Sequence, residues 1–111
     1  MADISPFKLT ETEPGSFSLL CSEFQPHEST FVECGYEGGG YDWEAVARQI
    51  IRSHAPHLAE RVNFDPEGSM FCAYGQDKEA LEELGVLMRD TFNDKDALST
   101  AIKEADPDWF D

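Results

Sequence analysis

His54 and His57, three residues apart, are the closest approach to a metal-ligand pair in this 111-residue sequence. Two imidazoles at that spacing could share an ion, but Pro56 lies between them and no cysteine or carboxylate stands at a recognisable zinc spacing. His54 reads better as the last turn of a helix, where a cationic imidazole favours the negative end of the dipole, and His57 as a surface residue. Gly35, Gly38, Gly39 and Gly40 precede a helix start, where backbone N–H groups can cradle a phosphate. There is no GK[ST] ending, and Glu37, Asp42 and Glu44 would repel an anion there. The glycines therefore read as conformational, turning the chain so that Tyr36, Tyr41 and Trp43 are placed around the helix start. Cys21, Cys34 and Cys72 are odd in number and contain no CxxC pair, which predicts reduced thiols packed as small apolar groups. A nucleophile needs an adjacent base, and none is indicated; G-x-S-x-G and H-E-x-x-H are absent. The expectation is a protein that is not an enzyme and that carries no metal and no cofactor.

Charge narrows the partners. Eight Lys+Arg against 23 Asp+Glu leave a net charge of −15, and the pI is about 4.3. With no basic cluster to displace counterions from phosphates, nucleic acid and anionic membranes are excluded as direct partners, and a basic partner fits. Residues 1–30 carry a net −4, residues 31–76 another −4, and residues 77–111 −7. Apolar residues interleave with the acids throughout, so disorder should not dominate. The length suits one domain over 1–111. The amino-terminus has no basic and apolar signal pattern, and no stretch approaches the roughly 20 apolar residues of a membrane helix. A cytoplasmic location is the expectation.

The elements that must position these residues follow from periodicity. Phe7 and Leu9 alternate with Lys8 and Thr10, Pro14-Gly15 forms a type II turn, and Phe17, Leu19 and Cys21 alternate with Ser18 and Leu20, which makes a hairpin with one buried face. Phe24 to Thr30 reads as a loop, and Phe31 to Cys34 as a short third strand. Asp42 is expected to cap a helix whose apolar stripe is Trp43, Val46, Ala47, Ile50 and Ile51, with Glu44, Arg48 and Arg52 outside. A second hairpin runs from Val62 and Phe64 through an Asp65-Pro66-Glu67-Gly68 turn to Met70, Cys72 and Tyr74; both faces of its return strand are apolar, as in a central strand. Asp77 caps a helix carrying Leu81, Leu84, Met88 and Phe92. A third helix follows Asn93-Asp94 and breaks at Pro107. The sum is an α+β fold: an antiparallel sheet of four to five strands with three helices mainly on one face.

Two stretches, Gly39-Gly40-Tyr41-Asp42-Trp43-Glu44 and Phe64-Asp65-Pro66-Glu67-Gly68-Ser69-Met70-Phe71-Cys72-Ala73-Tyr74, together with the helix after each, resemble the immunity protein 51 family of bacterial polymorphic toxin systems. The resemblance spans roughly Phe31 to Ala105. It implies a small cytosolic inhibitor that binds a cognate secreted toxin domain, and it carries over no binding residues. The acidity adds a physical reason: a toxin that is a nuclease grips phosphates in a basic cleft, which an acidic inhibitor can fill. Interfaces centre on aromatic anchors, so two regions become candidate partner-binding sites. One is the glycine loop, with Tyr36, Glu37, Tyr41, Asp42 and Glu44, joined by Asp65 and Glu67. The other is the tail, with Asp106, Asp108, Trp109, Phe110 and Asp111. Against this stand two plainer roles, Tyr41 and Trp43 as core residues and Trp109 and Phe110 as a cover folded over the sheet or helices. The rival functions are an acidic nucleic-acid mimic that inhibits several DNA-binding proteins, and a small metabolic enzyme.

Overall fold

A computed structural model describes residues 4–110. The strands are β1 (Lys8–Glu13), β2 (Ser16–Cys21), β3 (Asn63–Phe64) and β4 (Phe71–Gly75). The helices are α1 (Glu28–Glu33), α2 (Gly40–His54), α3 (Lys78–Phe92) and α4 (Lys95–Glu104), with short 3-10 turns at Gln25–His27, Pro56–Leu58 and Pro107–Phe110. The sheet is antiparallel in the order β1-β2-β4-β3, so the doubly apolar return strand β4 is indeed central. Leu19, Cys21, Phe71 and Ala73 point from it into the core, against α2 and α3. The fold is α+β as expected, with four helices rather than three among the described residues.

The added helix is α1, where the sequence suggested loop and strand. A strand through Phe31-Val32-Glu33-Cys34 would bury alternate residues. Here the adjacent Thr30 and Phe31 are buried while Val32 is 63% exposed. Turning the chain lets Phe31 enter the core beside Trp43, with ring centroids 5.3 Å apart, and this packing overrides the β-branched character of Thr30 and Val32. Gly35 then stops the helix: its N–H donates to the Val32 carbonyl at 3.0 Å, the next N–H, of Tyr36, reaches back to the Phe31 carbonyl at 2.9 Å, and φ is +93°. That left-handed closure is the one glycine makes without strain.

The second hairpin also turns later than its Asp-Pro-Glu-Gly sequence suggests. Asn63 pairs with Tyr74 and Phe64 with Ala73, the Asp65 N–H still donates to the Cys72 carbonyl at 3.0 Å, and the reversal lies between Glu67 and Met70, which exchange hydrogen bonds of 2.8 and 3.1 Å. Pro66 has no N–H to offer the ladder and sits where none is needed.

Trp43, 1% exposed, is the hub of the core. Phe24, Phe31, Phe92 and Phe7 lie around it with centroids 5.3 to 6.3 Å away. Its placement at the first turn of α2 ties that helix start, and the loop before it, to the densest part of the molecule. No helix among the described residues is long and apolar enough to cross a membrane.

Candidate functional site

The glycine loop is held by contact with the second hairpin. The Gly40 N–H donates to the Gly68 carbonyl at 3.2 Å. A Cβ on Gly39 would lie 2.6 Å from that same oxygen, and one on Gly40 would collide with the carbonyls of Glu67 and Met70. Only residues without a side chain let these two backbones meet. Gly38, at φ +87°, passes over the Phe31 ring, which a Cβ would approach to 3.3 Å.

Asp42 is not the expected N-cap. Gly39 takes that position, and Asp42, in the first turn, reaches back to accept the Gly38 N–H at 2.6 Å and the Glu37 N–H at 3.1 Å. It satisfies the loop amides ahead of the helix, in the manner of the acidic half of a capping box. Burial pushes its carboxyl pKa up; the amides of Gly38, Glu37 and Gly39 pull it back, and the neighbouring Glu37 charge adds to the rise. At 7% exposure it shapes the loop from inside, whereas Glu37 and Tyr41 beside it are exposed.

The tail closes onto this loop. Asp106 accepts the Asp108 N–H at 3.0 Å and starts the final 3-10 turn, which packs on α2. Its two aromatics part to different sides. Phe110 stacks on Tyr36 with centroids 3.8 Å apart and planes 13° apart. Trp109 lies under the Arg52 guanidinium at 4.8 Å; Arg52 is itself fixed by donating to the Glu104 carbonyl at 2.8 Å and to the Gln49 side-chain oxygen. Tyr36, Glu37, Tyr41, Gly68 and Phe110 thereby line one groove of about 410 Å³, and the two regions singled out in the sequence meet at it.

The remaining candidates divide. Glu44 is tied to Arg48 (Oε2 to Nε, 2.7 Å), and Arg48 lies over Phe64 at 5.1 Å, so part of its charge is spent along α2. Glu67 is exposed on the hairpin that carries Gly68. Asp108 is exposed on the tail and Asp106 is half-buried as its cap. Trp109 faces a separate groove of about 340 Å³ with Arg48, Ile51, Pro56 and Phe64. Asp65 stands apart, lining a concavity of about 960 Å³ over the open face of the sheet with Ser18, Cys72, Tyr74 and Glu79. Asp111 lies outside the described residues. Sequence reasoning passed over Tyr74, 43% exposed; its alternation with the buried Ala73 was the available indication.

Other reactive groups are placed as follows. Cys21, Cys34 and Cys72 form no disulfide. The Cys72 thiol is pushed up by burial and by the Asp65 charge, the reverse of what a nucleophile needs. His54 ends α2, and His57 pairs with Glu83 at 2.9 Å.

These features define a class: a small α+β domain in which a glycine loop, a hairpin turn and a tail converge on one acidic and aromatic groove. The sequence model described as Immunity protein 51 matches residues 7–107, and the chain belongs to that family. The match takes in the amino-terminal hairpin, beyond the stretch from Phe31 that carried the resemblance. No curated protein and no solved structure matches the chain.

Proposed function

We propose that this immunity-family chain acts in the cytoplasm as a non-enzymatic inhibitor within a polymorphic toxin system. It binds the cognate toxin domain, a basic nuclease, through the groove around Tyr36, Tyr41 and Phe110 with Glu37, Glu67 and Asp108 at its edges. The Tyr36–Phe110 stack carries this reading, because it brings the aromatics of two regions far apart in the chain, each with acids beside them, onto one surface. Rigid aromatic anchors ringed by charge are where binding energy concentrates. The net charge of −15 supports a basic partner: like charges repel an acidic one, and attraction raises the on-rate toward about 10⁸ to 10⁹ M⁻¹s⁻¹ at low salt. Asp42 and Asp106 serve by holding the loop and the tail that line the groove, while Glu44 stays paired with Arg48 on α2.

Co-expression with the toxin domain encoded by the adjoining gene tests this. The wild-type chain should protect cells, and Glu37→Lys and Asp108→Lys, both at exposed positions, should weaken protection and binding at physiological salt. Full protection by both variants would sink the charged-groove model.

A further inference from the structure

The sheet has a second face. Thr10, Ser18, Tyr74 and Asn63 form one cross-strand row over β1, β2, β4 and β3; Lys8, Leu20 and Cys72 form the next, and the Asp65 N–H bonds to the Cys72 carbonyl to extend it. The helices pack on the opposite side, and the part of this floor made by Ser18, Asn63, Cys72 and Tyr74 opens into the 960 Å³ concavity. Tyr74 stands at its centre, 43% exposed on a central strand, a position where a phenol ring normally has a partner or a cover.

The rim decides what that partner is. Arg61 is bridged to Asp77 at 2.7 Å, and Lys78 approaches Glu82 at 4.0 Å, so the two cations that line the concavity face acids of their own chain, and Lys8, farther along the sheet, does not line it. Among the described residues Glu60, Asp65 and Glu79 form no ion pair, and the floor between them offers hydroxyls and the Tyr74 ring. Hydroxyl and carboxylate acceptors beside an aromatic face suit lysine and arginine side chains, by hydrogen bonds and by cation–π contact. A second copy of this chain would bring −15 against −15.

We infer that the open face of the sheet, centred on Tyr74, is the other half of the docking surface and receives a basic segment of the toxin domain. This rests on the immunity reading above. Area supports the joining of the two halves. Strands of six, six, five and two residues, spaced about 4.8 Å apart and rising about 3.3 Å per residue, offer roughly 300 Å² of floor, whereas a stable interface takes about 800 Å² from each partner. The face alone falls short. The β3–β4 hairpin, with Asp65 on the sheet side and Gly68 on the groove side, makes the two areas continuous.

The experiment is calorimetric titration of the full chain with the toxin domain from the adjoining gene, at about 50 and 300 mM salt, for wild type, Tyr74→Ala, Glu79→Lys and the groove variant Glu37→Lys. Thermal melting verifies that each variant is folded; Tyr74 and Glu79 are exposed, so neither change should disturb the core. The proposal expects Tyr74→Ala and Glu79→Lys each to weaken binding about tenfold, with wild-type affinity falling as salt rises. Wild-type affinity in both sheet variants, with Glu37→Lys impaired, would overturn the sheet face and leave the immunity reading standing. A wild-type chain that does not bind the toxin would defeat that reading and this inference together. Dimerisation of the chain alone, dispersed by Tyr74→Ala in sedimentation, would show that a second copy takes the face and overturn it as well.

Discussion

Asp42 holds the loop ahead of α2 from within, accepting the Glu37 N–H at 3.1 Å and the Gly38 N–H at 2.6 Å. Its type fits a helix beginning, but a cap at Asp42 would leave the amides of Glu37 and Gly38 without acceptors. Moving the cap to Gly39 lets one side chain serve both. Asp42→Ala should therefore destabilise the fold by about 1–3 kcal/mol in urea unfolding, and the loop amides should gain hydrogen exchange. Equal stability and unchanged exchange would mean that the loop holds its shape without this pin. His27 supplies a pH test. Its ring packs edge-on against Phe92 at 4.3 Å, and burial lowers its pKa below 6.5, with a backbone hydrogen bond at Phe92 partly opposing the shift. The unfolded chain then binds the proton more readily than the folded one, so stability is present above about pH 6.5 and falls as pH drops below it. Replacing His27 with Phe should flatten melting temperature against pH in that window. A slope that survives the replacement would assign it to other groups.

At the scale of elements, most of the architecture was legible because most elements bury one clean stripe. The first hairpin, α2, α3 and the Asp77 cap all follow from alternation, 3.6-residue spacing and short polar residues at helix starts; the Asp77 side chain accepts the Ala80 N–H at 3.1 Å as its position implies. What stayed hidden was tertiary. Residues 28–33 are too few to show a helical period, and only the aromatic cluster around Trp43 decides that Phe31 arrives there on a helix. Phe31→Ala should cost about 3–5 kcal/mol, while Val32→Ser, at 63% exposure, should move stability little; comparable losses from both would argue for a strand-like burial of Val32. The site followed the same pattern. Both candidate regions were visible as aromatics among acids, but their meeting depends on the tail folding back some 70 residues later in the chain, which no local pattern encodes. The Tyr36–Phe110 stack should show as a coupling of about 0.5–1.5 kcal/mol in a double-mutant cycle. Additive single losses would mean that the tail and the glycine loop are held independently.

For the whole molecule, the excess of acid divides into carboxylates engaged within the fold and carboxylates left exposed. Part is internal: Asp42, Asp77, Asp94 and Asp106 accept backbone amides at element starts, and Glu44 and Glu83 pair with Arg48 and His57. The remainder, including Glu37, Glu67 and Asp108, is exposed and on the proposed reading acts at a distance on a partner. Since exposed charges interact over a screening length of about 8 Å at physiological ionic strength, salt separates the two sets, because hydrogen-bonded acids respond little and steering acids respond strongly. The most direct measurement is the association rate of the chain with its cognate toxin domain, by stopped flow, over rising ionic strength. A fast rate at low salt that falls by about tenfold or more between 50 and 500 mM is expected from steered capture by an acidic surface. An association rate independent of salt would contradict it.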